Sequence, residues 1–247
     1  MFGSSKARYS ASIPSRSNFS AKYFAAKFER EGIDAEYRAF ELPNIAGFPE
    51  LVKETADLRG VNVTIPYKIY IIPYLDRMTE AALGVGAVNC VDIRDGKLTG
   101  YNTDVTGFAE SLKPLLKSHH KYALVLGTGG SSLAVKYVLE ELEIEYVSVS
   151  RTKKPEGLTY DELTIPLVKA STLIINTTPV GMHPKVEDHP ALPYEGITER
   201  HLLYDLVYNP EETKFLTLAK ERGATIKNGR EMLHLQAEAS WRIWNNL

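Results

Sequence analysis

Hydrophobic residues along this chain switch repeatedly between period two and helical spacing. Tyr9, Ala11 and Ile13 alternate with Ser10 and Ser12, which predicts a first strand ended by Pro14. Phe19, Tyr23, Phe24 and Phe28 share one helical face and predict a helix over 20–30, stopped at Gly32. Residues 35–40 read as a strand, 47–54 as a helix and 61–65 as the next strand, with Val63 and Ile65 on its buried face. Residues 88–93 and 97–100 form a hairpin across Asp95-Gly96, a strong turn dipeptide.

A second unit begins near residue 105. A helix over 105–116 leads to the apolar strand 122–126, the turn Gly127-Thr128-Gly129-Gly130 and a helix to 142. Strands follow at 146–150, 172–176 and 202–205, with helical periodicity at 160–163 and 211–222. A final helix covers 230–246. Alternation of this kind predicts an α/β protein of two domains. The first, 1–104 with the C-terminal helix 229–247, carries a mostly parallel sheet; the second, 105–228, is a doubly wound, Rossmann-like nucleotide domain.

Composition narrows the function classes. The chain has 247 residues, 44% of them hydrophobic, and a formal net charge of −2, so nothing electrostatic favours a nucleic-acid or membrane-surface partner. Cys90 is the only cysteine, which rules out an intrachain disulfide and fits a reducing, cytoplasmic home. Its expected role is small apolar packing. Residues 1–28 hold Lys6, Arg8, Arg16, Lys22 and Lys27 and no acid, as an organellar transit peptide does. The aromatic helix face that begins at Phe19 weighs against that reading. No metal site is expected.

The chemistry concentrates in short polar motifs. Asn62-Val63-Thr64-Ile65-Pro66-Tyr67-Lys68 sets a lysine just past a strand end, where open α/β sheets place their ligands. Gly86-Ala87-Val88-Asn89, Gly100-Tyr101-Asn102-Thr103-Asp104 and Asn228-Gly229, followed by Met232 and Gln236, come after it in order. Gly127-x-Gly129-Gly130 follows an apolar strand and opens a helix, which suits close approach of backbone to a pyrophosphate. Ser132 stands where a third glycine or alanine usually sits.

Together these motifs resemble the shikimate dehydrogenase family, from residue 18 to the C-terminus. The resemblance implies reversible reduction of 3-dehydroshikimate to shikimate, a step of aromatic amino-acid biosynthesis, with Lys68 and Asp104 managing the proton. The sequence leaves open which of the two carries it. Thr64, Asn89 and Gln236 match the family's ligands for the ring hydroxyls, and Asn62 is expected to brace the strand end. Tyr208, in Asp205-Leu206-Val207-Tyr208-Asn209-Pro210, is expected to face nicotinamide and substrate. The cofactor residues implied are Gly127, Gly129, Gly130, Asn176, Thr177, Gly229 and Met232, with Met182 peripheral. Where NAD enzymes carry an acid, this chain reads Ser150-Arg151-Thr152-Lys153-Lys154, which suits the 2′-phosphate of NADP.

One loop departs from the family. The family reads Gly-x-Pro and then His-Ser-x-Ser, two serines gripping the substrate carboxylate. Here Ser20 takes the second place, Asn18 the first and Ser17 that of the histidine, while Ser10 and Ser12 replace strand glycines. Two alternatives follow from this loop. One is a quinate/shikimate dehydrogenase-like paralogue acting on another cyclic hydroxy acid; the other is a catalytically weakened NADP-binding regulatory protein. A monomer or homodimer is expected.

Overall fold

A computed structural model describes residues 7–13, 19–55 and 57–247. The chain divides into two compact units, Met1–Thr103 with Gln236–Leu247, and Asp104–Leu235.

The first unit runs β1 (Ala7–Ile13), α1 (Phe19–Glu31), β2 (Ala35–Glu41), α2 (Phe48–Glu54), β3 (Leu58–Val63), α3 (Tyr67–Tyr70), β4 (Arg77–Met78), α4 (Glu80–Val85), β5 (Cys90–Arg94) and β6 (Lys97–Tyr101). Its sheet has the order β2-β1-β3-β5-β6-β4. The pairs β1–β2, β1–β3 and β4–β6 are parallel, whereas β5 runs antiparallel to both its neighbours, so the sheet is mixed. Asp95 and Gly96, with φ of 50° and 71°, turn the β5–β6 hairpin, as the dipeptide predicts.

Both faces of this sheet are covered. Along β5 the side chains alternate between two cores, Cys90 joining Phe24, Phe28 and Trp244, and Val91 joining Phe48, Val61 and Val63. The second unit contains α5 (Thr103–Leu112) from Asp104 on, β7 (Tyr122–Leu126), α6 (Gly130–Glu141), β8 (Glu145–Ser150), β9 (Gly157–Thr159), α7 (Ile165–Ala170), β10 (Leu173–Asn176), β11 (Leu202–Asp205), α8 (Lys214–Lys220) and β12 (Thr225–Asn228), then α9 (Arg230–Asn245), which is divided between the units at Gln236. On α9, Ala237, Trp241 and Trp244 fall at i, i+4 and i+7 and supply its stripe of the first unit's core.

The second sheet is parallel throughout, in the order β12-β11-β10-β7-β8-β9. Counted from β7 this is the 3-2-1-4-5-6 order of the doubly wound nucleotide fold, reversing direction between β7 and β10. Every residue of β10 and β11 is buried, including Asn176 and Asp205 at their ends. Leu124, Leu126, Ile174 and Leu203 point to one core and Ala123, Val125, Ile175 and Tyr204 to the other.

Three expectations need correction. The strand expected over 61–65 ends at Val63, because the Thr64 carbonyl accepts the Tyr67 N–H at 2.8 Å and turns the chain. Ile65 is consequently 61% exposed instead of buried. The helix expected over 211–222 starts at Lys214, since the Thr213 hydroxyl caps it by accepting the Leu216 N–H. The helical stretch at 160–163 is a single 3₁₀ turn, Tyr160–Glu162. The short strands β4, β9 and β12 carried too little alternation to be read.

Gly60 on β3 is required by packing. A Cβ there would lie 2.0 Å from Trp244 Nε1, which itself donates to the Val91 carbonyl at 3.0 Å. Gly60→Ala should therefore lower the unfolding free energy by about 1–3 kcal/mol, the range for forcing extra volume into a packed core. Denaturant midpoints measure this, and an unchanged midpoint would contradict the seating of Trp244 over Gly60.

Candidate functional site

In the first unit, backbone hydrogen bonds tie three of the motifs into one cluster. The Val63 N–H donates to the Asn89 carbonyl and the Val88 N–H to the Lys68 carbonyl, both at 2.8 Å. The Asn89 N–H donates to Tyr101 O at 3.1 Å, and the Asn102 side-chain amide to Ala87 O at 2.9 Å. Segments 62–68, 86–89 and 100–103 therefore share one place, although they are far apart in sequence.

Asn89 is 4% exposed, and its Oδ1 accepts from the Thr103 N–H at 2.6 Å and from Thr103 Oγ1 at 3.2 Å. Its Nδ2 has no protein partner among the described residues. A buried amide donor is costly to leave unmet, and this one is available to an acceptor from outside the described residues. Gln236 on α9 is also buried, and Thr103 Oγ1 reaches its Oε1 at 3.5 Å. Thr64 is half-buried at the turn after β3, and Lys68 lies on α3, one turn past the strand end.

Asn62 braces the strand end as expected. Its Oδ1 accepts from the Tyr37 hydroxyl at 3.0 Å and its Nδ2 donates to Ser240 Oγ at 2.9 Å. Ser20, at the start of α1, hydrogen-bonds with the phenol of Tyr37; burial raises that phenol above the ordinary tyrosine range and Ser20 pulls the other way. Asn18 lies outside the described residues. Cys90 is buried, and burial pushes its thiol up to about 12, as suits packing instead of nucleophilic chemistry.

In the second unit the glycine-rich turn lies between β7 and α6. Gly127 has φ of 107°, and a Cβ there would come within 2.7 Å of Thr177 Oγ1. Gly129 has no heavy atom near its Cβ position and caps α6 without a side chain, while Gly130 opens the helix. Ser132 fits its place by turning its hydroxyl back onto the Gly129 carbonyl at 2.6 Å. An open cradle at the start of a twelve-residue helix fits the pyrophosphate of a dinucleotide. Asp104 falls in the first turn of α5, where the helix dipole favours a carboxylate, and is 8% exposed.

At the end of β8, Ser150 Oγ donates to the Thr152 carbonyl at 2.6 Å and shapes the basic loop. Arg151 is exposed there, and Lys153 is paired with Glu162 at 2.6 Å. Thr177 uses its hydroxyl on the Leu126 carbonyl at 2.7 Å, fastening the loop after β10 to the end of β7. Gly229 allows the chain to pass Leu206, whose carbonyl would lie 2.1 Å from a Cβ. Tyr208 is half-buried in the loop after β11.

Two of the expected cofactor residues also have partners within the fold. Met232 is 7% exposed and packs in the core with Phe108 and Tyr204, because its spacing on α9 turns it inward. The Asn176 amide is committed on both sides: its Nδ2 donates to Asp205 Oδ1 at 2.9 Å and to Val180 O at 3.4 Å, and its Oδ1 accepts from the N–H and hydroxyl of Thr178 at 3.1 and 2.6 Å.

Known proteins share both the sequence and the fold. Residues 13–91 match the family described as the shikimate dehydrogenase substrate binding domain. The NADP(+) shikimate dehydrogenase of Desulforamulus reducens is 33% identical over 262 residues, spanning 94% of this chain and 87% of its own. The chain belongs to the shikimate dehydrogenase family. The crystal structure of shikimate dehydrogenase from Aquifex aeolicus superposes with a TM-score of 0.87 at 33% identity, over 100% of this chain and 95% of that one. The enzyme of Thermus thermophilus, solved in complex with NADP(H) and shikimate, gives 0.86 at 32% identity, over 98% and 94%.

In this member of the family, Asp205, which opens the motif carrying Tyr208, fastens the loops around it. It is fully buried, and its carboxylate accepts from Thr213 Oγ1 at 2.6 Å, the Val207 N–H at 3.0 Å and Asn176 Nδ2 at 2.9 Å. One carboxylate thereby holds the loops after β10 and β11 and the cap of α8. The available signal was an acid closing the otherwise apolar run Leu202-Leu203-Tyr204. Burial raises its carboxyl to about 6, against the three hydrogen bonds, which lower it. Folding therefore takes up a proton on Asp205 between about pH 4 and 6. The associated stability is fully present at the acid end and lost as pH rises through 6, by about 3 kcal/mol. The stability difference between wild type and Asp205→Asn should follow that slope; a difference independent of pH over this window contradicts the assignment.

Proposed function

We propose that this chain catalyses the reversible NADPH-dependent reduction of 3-dehydroshikimate to shikimate, the step of aromatic amino-acid biosynthesis that its family membership implies. In this reading residues 1–104 with the C-terminal helix bind the substrate and residues 105–228 bind the cofactor. The observation that carries it is the buried Asn89 amide at the meeting of three motifs, which is suited to a substrate hydroxyl. The relatives named for NADP(+), and one solved with NADP(H) and shikimate, support the same substrate and cofactor.

Bound NADPH supplies the hydride to the ring carbonyl. Lys68 and Asp104 handle the proton that must reach the carbonyl oxygen as it becomes a hydroxyl, and that must leave it in the reverse direction. Thr64, Asn89 and Gln236 orient the ring hydroxyls, Ser20 and Asn18 hold the carboxylate, and Tyr208 stands at the reacting end. Gly127, Gly129 and Gly130 accept the pyrophosphate, Thr177 and Asn176 shape the adjoining loop, and Arg151 with Ser150 and Thr152 takes the 2′-phosphate. No described helix is long and apolar enough to cross a membrane. A cytoplasmic monomer or homodimer completes the reading.

Turnover of shikimate and quinate with NADP and with NAD tests the assignment directly. Shikimate with NADP should be the preferred pair; binding of NADPH without turnover of either acid would overturn it. Lys68→Ala and Asp104→Asn should each lower kcat by roughly 10²–10⁴-fold while the protein stays folded. Near-normal kcat in both would remove them from the proton path. Arg151→Ala should raise the KM for NADP and leave that for NAD nearly unchanged, whereas equal effects on both cofactors would contradict a 2′-phosphate contact.

A further inference from the structure

We propose that Ser240 is a positioning residue for substrate recognition, setting through Thr103 the orientation in which Asn89 and Gln236 meet the substrate's ring hydroxyls. The inference rests on the functional reading above and adds a residue that no motif contains. Ser240 is fully buried on α9, one turn after Gln236.

The argument is a count of donors and acceptors. A serine hydroxyl offers one proton and two lone pairs. Ser240 Oγ donates to the Gln236 carbonyl at 3.0 Å and accepts from Asn62 Nδ2 at 2.9 Å, and Thr103 Oγ1 lies 3.3 Å away. With its proton given to Gln236, Ser240 faces Thr103 as an acceptor, and the buried Cys90 thiol lies beside the same hydroxyl.

Thr103 is then the element with a choice. Its single hydroxyl proton has three oxygen neighbours: Ser240 Oγ at 3.3 Å, Asn89 Oδ1 at 3.2 Å and Gln236 Oε1 at 3.5 Å. Ser240 holds one of these alternatives open and so fixes how firmly Asn89 and Gln236 are held. Removing the Ser240 hydroxyl leaves Thr103 only the two amide oxygens, both on residues assigned to the substrate. It also leaves Asn62 Nδ2 with the longer contact to the Asn89 carbonyl, at 3.4 Å. Thr103, Asn89 and Gln236 are all buried, so water cannot freely replace a lost partner and the change falls on the amides.

Steady-state kinetics of Ser240→Ala, Thr103→Val and Thr103→Ser test this. Ser240→Ala should raise the KM for shikimate about tenfold, the equivalent of one disturbed buried hydrogen bond, while kcat and the KM for NADP change by less than about threefold. Thr103→Val keeps the side-chain shape without the hydroxyl and should reproduce that split, whereas Thr103→Ser should rescue it. The double variant Ser240→Ala with Thr103→Val should fall well short of the product of the single effects, because the contact between the two hydroxyls is lost in both. If Ser240→Ala does not fold, the Thr103 pair carries the test alone. Shikimate KM within twofold of wild type in every folded hydroxyl-deleted variant overturns the inference, even if melting temperatures fall. No shikimate turnover by the wild type overturns the functional reading, and this inference with it.

Discussion

A buried amide must find partners for every donor and acceptor, and at Asn89 that requirement organises the first unit. Its carbonyl receives the N–H of Val63 at the end of β3, its own N–H reaches back to Tyr101, and its Oδ1 fixes the start of α5 through Thr103. Three of its four polar groups are thus tied to protein, and only Nδ2 lacks a partner among the described residues. An apolar residue in this place would leave the Thr103 N–H unsatisfied in a dry interior. The same contacts that close the fold leave this amide donor for the ring hydroxyl to which the proposed function assigns it.

The second unit uses the same device with a charge. β10 and β11 are buried from end to end, and each closes on a polar residue, Asn176 and Asp205, bonded to one another at 2.9 Å. Between them they anchor the chain as it leaves the sheet at the end where ligands of doubly wound folds bind. Rigid strand ends with short, side-chain-fastened loops are what a cofactor cradle requires, since a loop that moves cannot hold a pyrophosphate and a nicotinamide in fixed relation. Gly127 and Gly229 contribute differently: each lets backbone pass where a Cβ would collide with a neighbour.

Much of this was legible from residues because the chemistry is concentrated in contiguous motifs. Lys68, Asn89 and Gln236 stand in short polar segments whose order along the chain is distinctive, and the turn around Gly127 is announced by the strand before it. What sequence reading missed lies outside such segments. Ser240 is a lone serine on an amphipathic helix and Tyr37 an aromatic on a strand, and they lie 178 and 25 residues from their common partner, Asn62. Such pairings exist only after the sheet has formed. Ile65 is exposed although the alternation of β3 continues through it, because the strand ends in a turn made by a backbone hydrogen bond, which leaves no trace in side-chain polarity. Met232 and Asn176, which the family resemblance places at the cofactor, also have structural partners that no motif announces.

The most direct test of this account is whether the Asn89 amide reads one hydroxyl of the substrate. The measurement is kcat/KM for wild type and Asn89→Ala with shikimate and with analogues that each lack one ring hydroxyl. The account predicts that one analogue is a poor substrate for the wild type, by a factor of up to about 10⁴ for a site built around that group. With that analogue alone, Asn89→Ala should cause no further loss, because the contact is already missing. An Asn89→Ala penalty of the same size for shikimate and for every analogue would contradict it, and would reduce Asn89 to a residue that only holds the fold.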